Sequence, residues 1–379
     1  MELYIHIPYC KQKCRYCDFP SYPCLEHTMP QYTDALVTEL QAAARQVPAK
    51  LSSVFIGGGT PSLLPAPLLN QLLNAVHTHF ELTPDVEFTS EANPGTLTSE
   101  WLDAAVTGGV NRLSMGMQAY QPELLRTLGR IHTHDDVLAS VRLAHDHGIR
   151  NLNLDLMFGL PGQTPEMWRE TLHAALDLQP EHLSCYGLIP EDSTPLKADL
   201  DAGRLTLPDE DEERQMYEDT LQILSHAGFL QYEISNFARP GYECRHNIGY
   251  WERVPYIGVG VSAASFLRGM NGGLRIANPA DIPAYLHMVE NGCWHVREIT
   301  ELTTEDERFE SLMLGLRMTR GVSEGAFLRQ HGITLEAYRG ERLRAFEAQG
   351  LLAHENGCWR LTRRGMDVQN AILVELMDD

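Results

Sequence analysis

Tyr4-Ile-His-Ile-Pro-Tyr-Cys-Lys-Gln-Lys-Cys-Arg-Tyr-Cys-Asp-Phe19 runs from a short apolar stretch straight into three cysteines, Cys10, Cys14 and Cys17, spaced C-x3-C-x2-C. An iron-sulfur cluster normally takes four protein thiolates, so a set of three leaves one iron of a four-iron cubane open to another ligand. Spacings of three and two residues let one short loop wrap a cluster, with no Gly or Pro between the ligands if the flanks hold the loop. Two plainer readings compete, a structural zinc site and three thiols that happen to be neighbours. Zinc favours paired knuckles separated by a dozen residues or more. No second knuckle follows here, and Cys24 stands seven residues beyond Cys17, past Pro20 and Pro23.

Working outward, short apolar runs alternate with helical patterns. Strands are expected near residues 3–8, 53–57, 86–91, 112–117, 152–157 and 182–187, and helices near 32–45, 66–80, 99–107, 122–128, 134–147 and 165–178. Strict alternation reads as βαβ units on a parallel sheet. Six units fall short of the eight of a closed barrel, so the expected fold is α/β, a partial (β/α)6 TIM-like barrel with its site at the carboxyl ends of the strands. The motifs fall there. Cys10 follows the first strand, Gly57-Gly-Gly-Thr-Pro61 the second, and Glu91-Ala-Asn-Pro94 the third. Met117-Gln-Ala-Tyr120 ends the fourth, Asp155-Leu-Met-Phe-Gly-Leu-Pro-Gly162 the fifth, and Tyr186 with Gly187 the sixth. A glycine run allows a ligand to approach backbone N–H groups, and carboxylates at strand tips accept hydrogen bonds from an amine or from ribose hydroxyls. Alone, the triple glycine is as often a plain turn.

Composition bounds the partners. With 379 residues the chain suits one large α/β unit and a smaller one. Its eight cysteines, with no signal peptide and no apolar run near twenty residues, point to a reducing, cytoplasmic setting. Cys185, Cys244, Cys293 and Cys358 are scattered singly, as buried small hydrophobes are. A formal charge of −21 disfavours nucleic acid, which needs clustered Lys and Arg.

The cysteine loop, with Tyr16 before its last Cys, and the Gly57 to Pro61 run resemble the radical S-adenosylmethionine (SAM) superfamily. There the methionine part of the cofactor chelates the open iron of a 4Fe-4S cluster. Tyr4-Ile-His-Ile-Pro8, Glu91-Ala-Asn-Pro-Gly95, Leu128-Gly-Arg-Ile-His132 and Asp155-Leu-Met-Phe-Gly-Leu-Pro161 are similar to the oxygen-independent coproporphyrinogen III oxidase group. The likeness spans nearly the whole chain. It implies that Cys10, Cys14 and Cys17 hold the cluster and that Tyr4, Gly58, Gly59, Thr60 and Glu91 hold the cluster-bound cofactor. Tyr16, Gln118, Arg130 and Asp155 match positions that contact a second cofactor molecule in the true oxidase, and Gly187 sits at a matching strand tip.

True oxidases resemble C-x3-C-x2-C-x-C and carry a longer amino-terminal extension, whereas this chain has Phe19 where their last cysteine stands. The segment Cys244-Arg-His-Asn-Ile-Gly-Tyr-Trp251 matches H-N-x-x-Y-W, a mark of the HemW-type heme chaperones. That resemblance implies heme as cargo and heme-accepting proteins as partners, respiratory enzymes and the membrane among their settings, and it allows a homodimer. Neutral imidazole ligates heme iron and aromatic rings pack on a macrocycle, which makes His246 the heme-ligand candidate. The competing account, given equal weight, has His246 and Asn247 as a satisfied hydrogen-bonding pair at the barrel edge with Trp251 as core. His6 reads as structural or as support for the cluster.

Two functions remain. One is a heme chaperone that retains a cluster and SAM. The other is a radical SAM enzyme of porphyrin synthesis, a coproporphyrinogen III dehydrogenase in which cofactor cleavage yields a deoxyadenosyl radical that takes hydrogen from a porphyrinogen propionate. Phe19 and the His246 to Trp251 segment favour the chaperone, and whether the chain is an enzyme stays open. His77, His79, His132, His134, His145 and His147 read mostly as surface residues, Met115 and Met117 as core, and Asp209 to Glu213 as a solvated helix start. Residues 1–235 are expected to form the barrel, 236–300 a connecting region carrying the H-N-x-x-Y-W segment and, around Gly258 to Gly260, the barrel's last strands, and 301–379 a small carboxyl-terminal domain. Three helical runs and a Glu355-Asn-Gly357 hairpin turn make that last domain winged-helix-like, an α+β unit suited to a lid or docking role.

Overall fold

Strand β1 (Glu2–Ile7) sets the pattern for the sheet: Leu3, Ile5 and Ile7 are wholly buried on one face, while Glu2, Tyr4 and His6 alternate onto the other. The structure is a computed structural model and describes residues 1–269 and 272–377. The chain continues through α1 (Met29–Gln46), β2 (Lys50–Gly58), α2 (Ala66–His79), β3 (Glu81–Ala92), α3 (Ser99–Thr107) and β4 (Arg112–Gln118). Two helices follow, α4 (Pro122–Thr127) and α5 (His134–Asp146), then β5 (Asn151–Phe158), α6 (Pro165–Leu176) and β6 (His182–Gly187). Strands β1 to β6 pair in sequence order and all in parallel. This is the expected open (β/α)6 barrel.

Register explains how one sheet carries both core and site. Leu3, Val54, Phe88, Leu113, Leu152 and Leu183 stand on the outer face and share one core with Leu36, Leu72, Leu102 and Trp168 of the helices. Met115 and Met117 belong to that core, as expected. The inward set is polar: Ser53, Glu87, Arg112, Asn153 and His182 are buried in the lumen. Crossovers place each helix outside, so the inner face is free to be filled by a hydrogen-bonded network. Helix starts carry their caps in sequence, including Thr98, Thr164 and the Thr133/Asp136 capping box.

Next come α7 (Pro195–Asp201) and α8 (Glu210–His226), the latter opened by an Asp209/Glu212 capping box in the acidic run. The short β7 (Leu230–Gln231) and β8 (Asn236–Ala238) add to the β6 edge antiparallel. After α9 (Arg245–Trp251), strand β9 (Tyr256–Val259) crosses to the other edge and pairs with β1 in parallel. Beyond the six expected strands this makes a seventh parallel one. It lies in the connecting region expected to carry the barrel's last strands, and Gly258 is required there, since a Cβ would meet the Ala264 carbonyl oxygen at 2.0 Å. Strands β10 (Ala264–Arg268) and β11 (Gly273–Ala277), helix α10 (Ile282–Asn291) and β12 (Glu298–Glu301) complete a sheet of twelve strands in the order β12-β11-β10-β9-β1-β2-β3-β4-β5-β6-β8-β7.

A second core, with Leu312, Phe327, Leu343, Trp359 and Leu376, lies in the last segment. It comprises α11 (Thr304–Gly315), β13 (Val322–Ser323), α12 (Glu324–His331), α13 (Leu335–Ala348), β14 (Leu352–Glu355), β15 (Cys358–Leu361), α14 (Arg363–Asp367) and α15 (Gln369–Leu376). The antiparallel sheet runs β13-β15-β14. Asn356 and Gly357, at φ 53° and 71°, both take the left-handed conformation that an Asn-Gly hairpin turn requires. Among the described residues no helix is long and apolar enough to cross a membrane.

Candidate functional site

The cysteine loop leaves β1 and is held from both flanks, as its lack of Gly and Pro between the thiols demands. Cys10 N–H donates to the Tyr22 carbonyl at 3.2 Å and Tyr22 N–H to that of Pro8 at 2.7 Å, closing the loop's base. Arg15 N–H reaches the Leu128 carbonyl at 2.9 Å, and the Gln12 amide that of Gly129 at 3.1 Å. His6 bridges the base, with Nδ1 bonded to the Tyr4 hydroxyl at 3.0 Å and Nε2 to the Pro20 carbonyl at 2.8 Å. It thereby fastens β1 to the far flank of the loop.

The glycine run lies against this loop because nothing larger fits. Gly58 has φ +113°, and a Cβ there would come within 2.5 Å of the His6 ring. A Cβ on Gly59 would meet the Tyr9 carbonyl oxygen at 2.6 Å, while Gly59 N–H donates to the Ile7 carbonyl at 2.8 Å. Gly58 N–H donates to Glu91 Oε2 at 3.0 Å, tying the second and third strand tips. Burial pushes the Glu91 carboxyl up to about 8, with the Asp155 charge adding and the Gly58 N–H opposing.

Thr60 and Arg130 aim donors at the thiols. The Thr60 hydroxyl lies 3.6 Å from Cys10 Sγ, and Arg130 Nη1 lies 3.5 Å from Cys14 Sγ, distances suited to sulfur. Burial raises the Cys10 and Cys17 thiols above their ordinary range. It also works against the Arg130 charge, but Tyr16 and Cys14 more than offset it and hold the guanidinium above its usual value. Arg130 Nη2 donates to the Asn93 side chain at 2.8 Å and to the Gly116 carbonyl at 2.7 Å.

On the far wall, Gln118 ends β4 at φ +64°, an uncommon conformation for a buried non-glycine side chain. It coincides with a register shift between β4 and β5. Asp155 is supported by Asn153 Nδ2 at 2.8 Å and Ser114 Oγ at 3.4 Å, and burial raises its carboxyl. Tyr4, Cys10, Cys14, Cys17, Tyr16, Gly58, Gly59, Thr60, Glu91, Gln118, Arg130 and Asp155 therefore gather at the carboxyl mouth of the barrel. Gly187 ends β6 with its missing side chain toward Phe158 and Glu213, on the helix side, so only its backbone faces the mouth. The residues not anticipated here are Asn93, inside a quoted motif but given no role, and His132. The latter is buried rather than on the surface, bonds the Met117 carbonyl at 3.1 Å, and is brought down to about 4 by burial and by Arg130.

His246 stands elsewhere. Its Nδ1 pairs with Ser53 Oγ at 2.8 Å and its Nε2 with the Tyr250 hydroxyl at 3.0 Å. The ring stacks on Phe55 and is 1% exposed, and burial, then Arg112, brings it down to about 3. Ser53 precedes Gly58 by five residues of β2, roughly 16 Å of strand. The H-N-x-x-Y-W helix is thus at the amino-terminal end of the barrel, opposite the thiols.

The donor set suits a cluster: three thiols on one loop, donors aimed at two of them, and a glycine cradle beside them. Among the described residues no trio of His, Cys, Asp or Glu closes around the point one ion would take; thiols of a four-iron cluster stand one to a corner.

A family model described as Radical SAM superfamily matches residues 4–175, and one described as HemN C-terminal domain matches residues 302–368. A "Heme chaperone HemW" of Bacillus subtilis is 37% identical, with 97% of each chain covered. That of Escherichia coli is 35% identical over 98% of this chain and 97% of its own. Among solved structures, coproporphyrinogen III oxidase (HemN) from Escherichia coli, described as a radical SAM enzyme, superposes with a TM-score of 0.83 at 25% identity, covering 99% of this chain and 89% of that one. A radical SAM domain implies a 4Fe-4S cluster and SAM as cofactors. With thiol loop, glycine cradle and carboxyl-terminal sheet all in place, the chain belongs to the radical SAM superfamily and, within it, to the family of the HemW heme chaperones.

Proposed function

We propose that the protein binds heme and passes it to heme-accepting proteins in the cytoplasm or at a membrane surface, with a cluster and SAM held at the barrel mouth. The observation that carries this is the similarity of the whole chain, not of the barrel alone, to relatives named heme chaperones. Cys10, Cys14 and Cys17 would hold the cluster, which would offer SAM an open iron and, once reduced, would supply a low-potential electron. Tyr4, Gly58, Gly59, Thr60 and Glu91 would cradle that cofactor. Tyr16, Gln118, Arg130, Asp155 and the Gly187 backbone would line the remaining space. Heme is assigned to the other end of the barrel, in a cleft of about 490 Å³ between α9 and the carboxyl-terminal unit, lined by Trp251, Met318, Val322, Phe327 and Cys358. In this reading His246 braces α9. Support for that comes from its two occupied ring nitrogens, one of which would have to break its bond to reach an iron.

Anaerobic titration of the reconstituted protein with heme, followed by mixing with an apo-hemoprotein, tests the proposal. Saturable binding and transfer faster than from free heme are expected. Absence of both would overturn it. The likeness to coproporphyrinogen III oxidase favours a second reading, radical decarboxylation. Phe19, 68% exposed where that group has a cysteine, opposes it. Turnover of coproporphyrinogen under anoxic, reducing conditions would reinstate it.

A further inference from the structure

Asn93 bonds no thiol among the described residues, yet Thr60 and Arg130, which do, are both tied to it. Its Nδ2 donates to Thr60 Oγ1 at 2.8 Å, and its Oδ1 accepts from Arg130 Nη2 at 2.8 Å. Because the Thr60 oxygen already accepts from the amide, its own proton is directed elsewhere, and Cys10 Sγ lies 3.6 Å away. The Arg130 Nη2 group is fully engaged by Asn93 and by the Gly116 carbonyl, which leaves Nη1 to face Cys14 Sγ at 3.5 Å. Asn93 is itself fixed through its backbone: its N–H donates to Ser62 Oγ at 3.4 Å, and its carbonyl accepts from Thr96 N–H at 3.1 Å and Thr96 Oγ1 at 2.6 Å. The amide is therefore a rigid, two-handed hub. One hand sets a hydroxyl on the first cysteine, the other a guanidinium on the second.

We propose that Asn93 is a positioning residue that orients Thr60 and Arg130 as hydrogen-bond donors to Cys10 and Cys14 and so sets the reduction potential of the cluster these cysteines hold. Donors to ligand sulfurs stabilise the more negative, reduced cluster and raise its potential. Either tie can be cut separately. A carboxylate at position 93 would take the Thr60 proton for itself, withdrawing it from Cys10, and would add negative charge beside the cluster. An alanine would release both donors without adding charge.

The inference rests on the cluster reading, and the test separates the two. Parent, Asn93→Ala, Asn93→Asp, Thr60→Val and the Asn93→Ala/Thr60→Val double variant are reconstituted anaerobically, assayed for iron and sulfide, and titrated redox-potentiometrically by electron paramagnetic resonance. Fe–S stretching bands are recorded by resonance Raman. Every single variant should titrate at a more negative potential than the parent, Asn93→Asp furthest, and the double variant should shift by less than the two singles added, because Asn93 acts partly through Thr60. Variants that titrate at the parent potential with unmoved Fe–S bands, or a strictly additive double variant, would overturn the inference. A parent that takes up no iron and sulfide would overturn the cluster reading instead. If Asn93→Asp does not fold, Asn93→Ala and Thr60→Val decide by the same comparison.

Discussion

Glu2 begins β1 at 3% exposure, and its Oε2 has no hydrogen-bond partner among the described residues. Burial carries its carboxyl from 4.5 up to about 8, against the pull of the amino terminus. At a pH below 4.5 the folded and unfolded states are both protonated and the group is neutral toward stability. Between 4.5 and about 8 the unfolded carboxyl releases its proton while the folded one keeps it, so stability falls as pH rises through that window. Glu2→Gln should remove this slope, with a relative gain on the order of 2 kcal/mol toward the alkaline side. Thermal unfolding of both proteins at mildly acidic and mildly alkaline pH checks it, and a gap in melting temperature that does not widen with pH would sink it. For His246, wedged between Ser53 and Tyr250, alanine should lower stability by about 2 kcal/mol and leave the Soret position of bound heme unchanged. A moved Soret band would make it a ligand after all. Neither residue's surroundings were legible in the chain. His246 reads there equally as a heme ligand and as a satisfied residue paired with Asn247, and the fold gives it Ser53 and Tyr250 instead.

At the scale of elements, α9 is a helix of seven residues whose N-cap residue, Cys244, makes no side-chain cap. The cap comes from another strand. Glu87 of β3 accepts the Arg245 N–H through Oε2 and the His246 N–H through Oε1, each at 3.0 Å. A carboxylate at the positive end of a helix, bonded to two free N–H groups, stabilises both helix and docking. Glu87→Ala should cost about 2 kcal/mol in denaturant unfolding, and it should weaken heme binding, since α9 carries Trp251 into the cleft. Intact binding after that substitution would detach α9 from the cargo site. Local signals did suffice elsewhere. The Asn356-Gly357 turn, the Asp209 capping box and the apolar face of β1 each follow from neighbours in sequence, whereas a cap supplied from 158 residues away leaves no local trace.

Across the whole molecule the barrel and the carboxyl-terminal unit meet at arginines that pair with buried or half-buried carboxylates. Arg317 pairs through Nε with the wholly buried Glu233 at 3.2 Å and lies 4.4 Å over the Trp251 ring, so one side chain joins the β7–β8 edge, the start of the carboxyl-terminal unit and α9. Arg253, 3% exposed, donates to the Glu307 carbonyl at 3.0 Å and to Ser311 Oγ at 3.2 Å. Arg317→Ala would strand the Glu233 charge and should cost on the order of 3 kcal/mol, with Trp251 emission shifted as the cation leaves the ring. Unchanged emission and melting temperature would remove this junction from the account. What the sequence by itself determined is whatever repeats at short range: the βαβ alternation, the thiol spacing and the carboxyl-terminal hairpin, all set by local geometry and the period of apolar residues. Only the tertiary structure decided that Asn93 serves both thiol donors, that β9 flanks β1, and that the thiols and His246 occupy opposite ends of the barrel. Those facts depend on strand register and long-range closure, which bring together side chains that no interval along the chain relates.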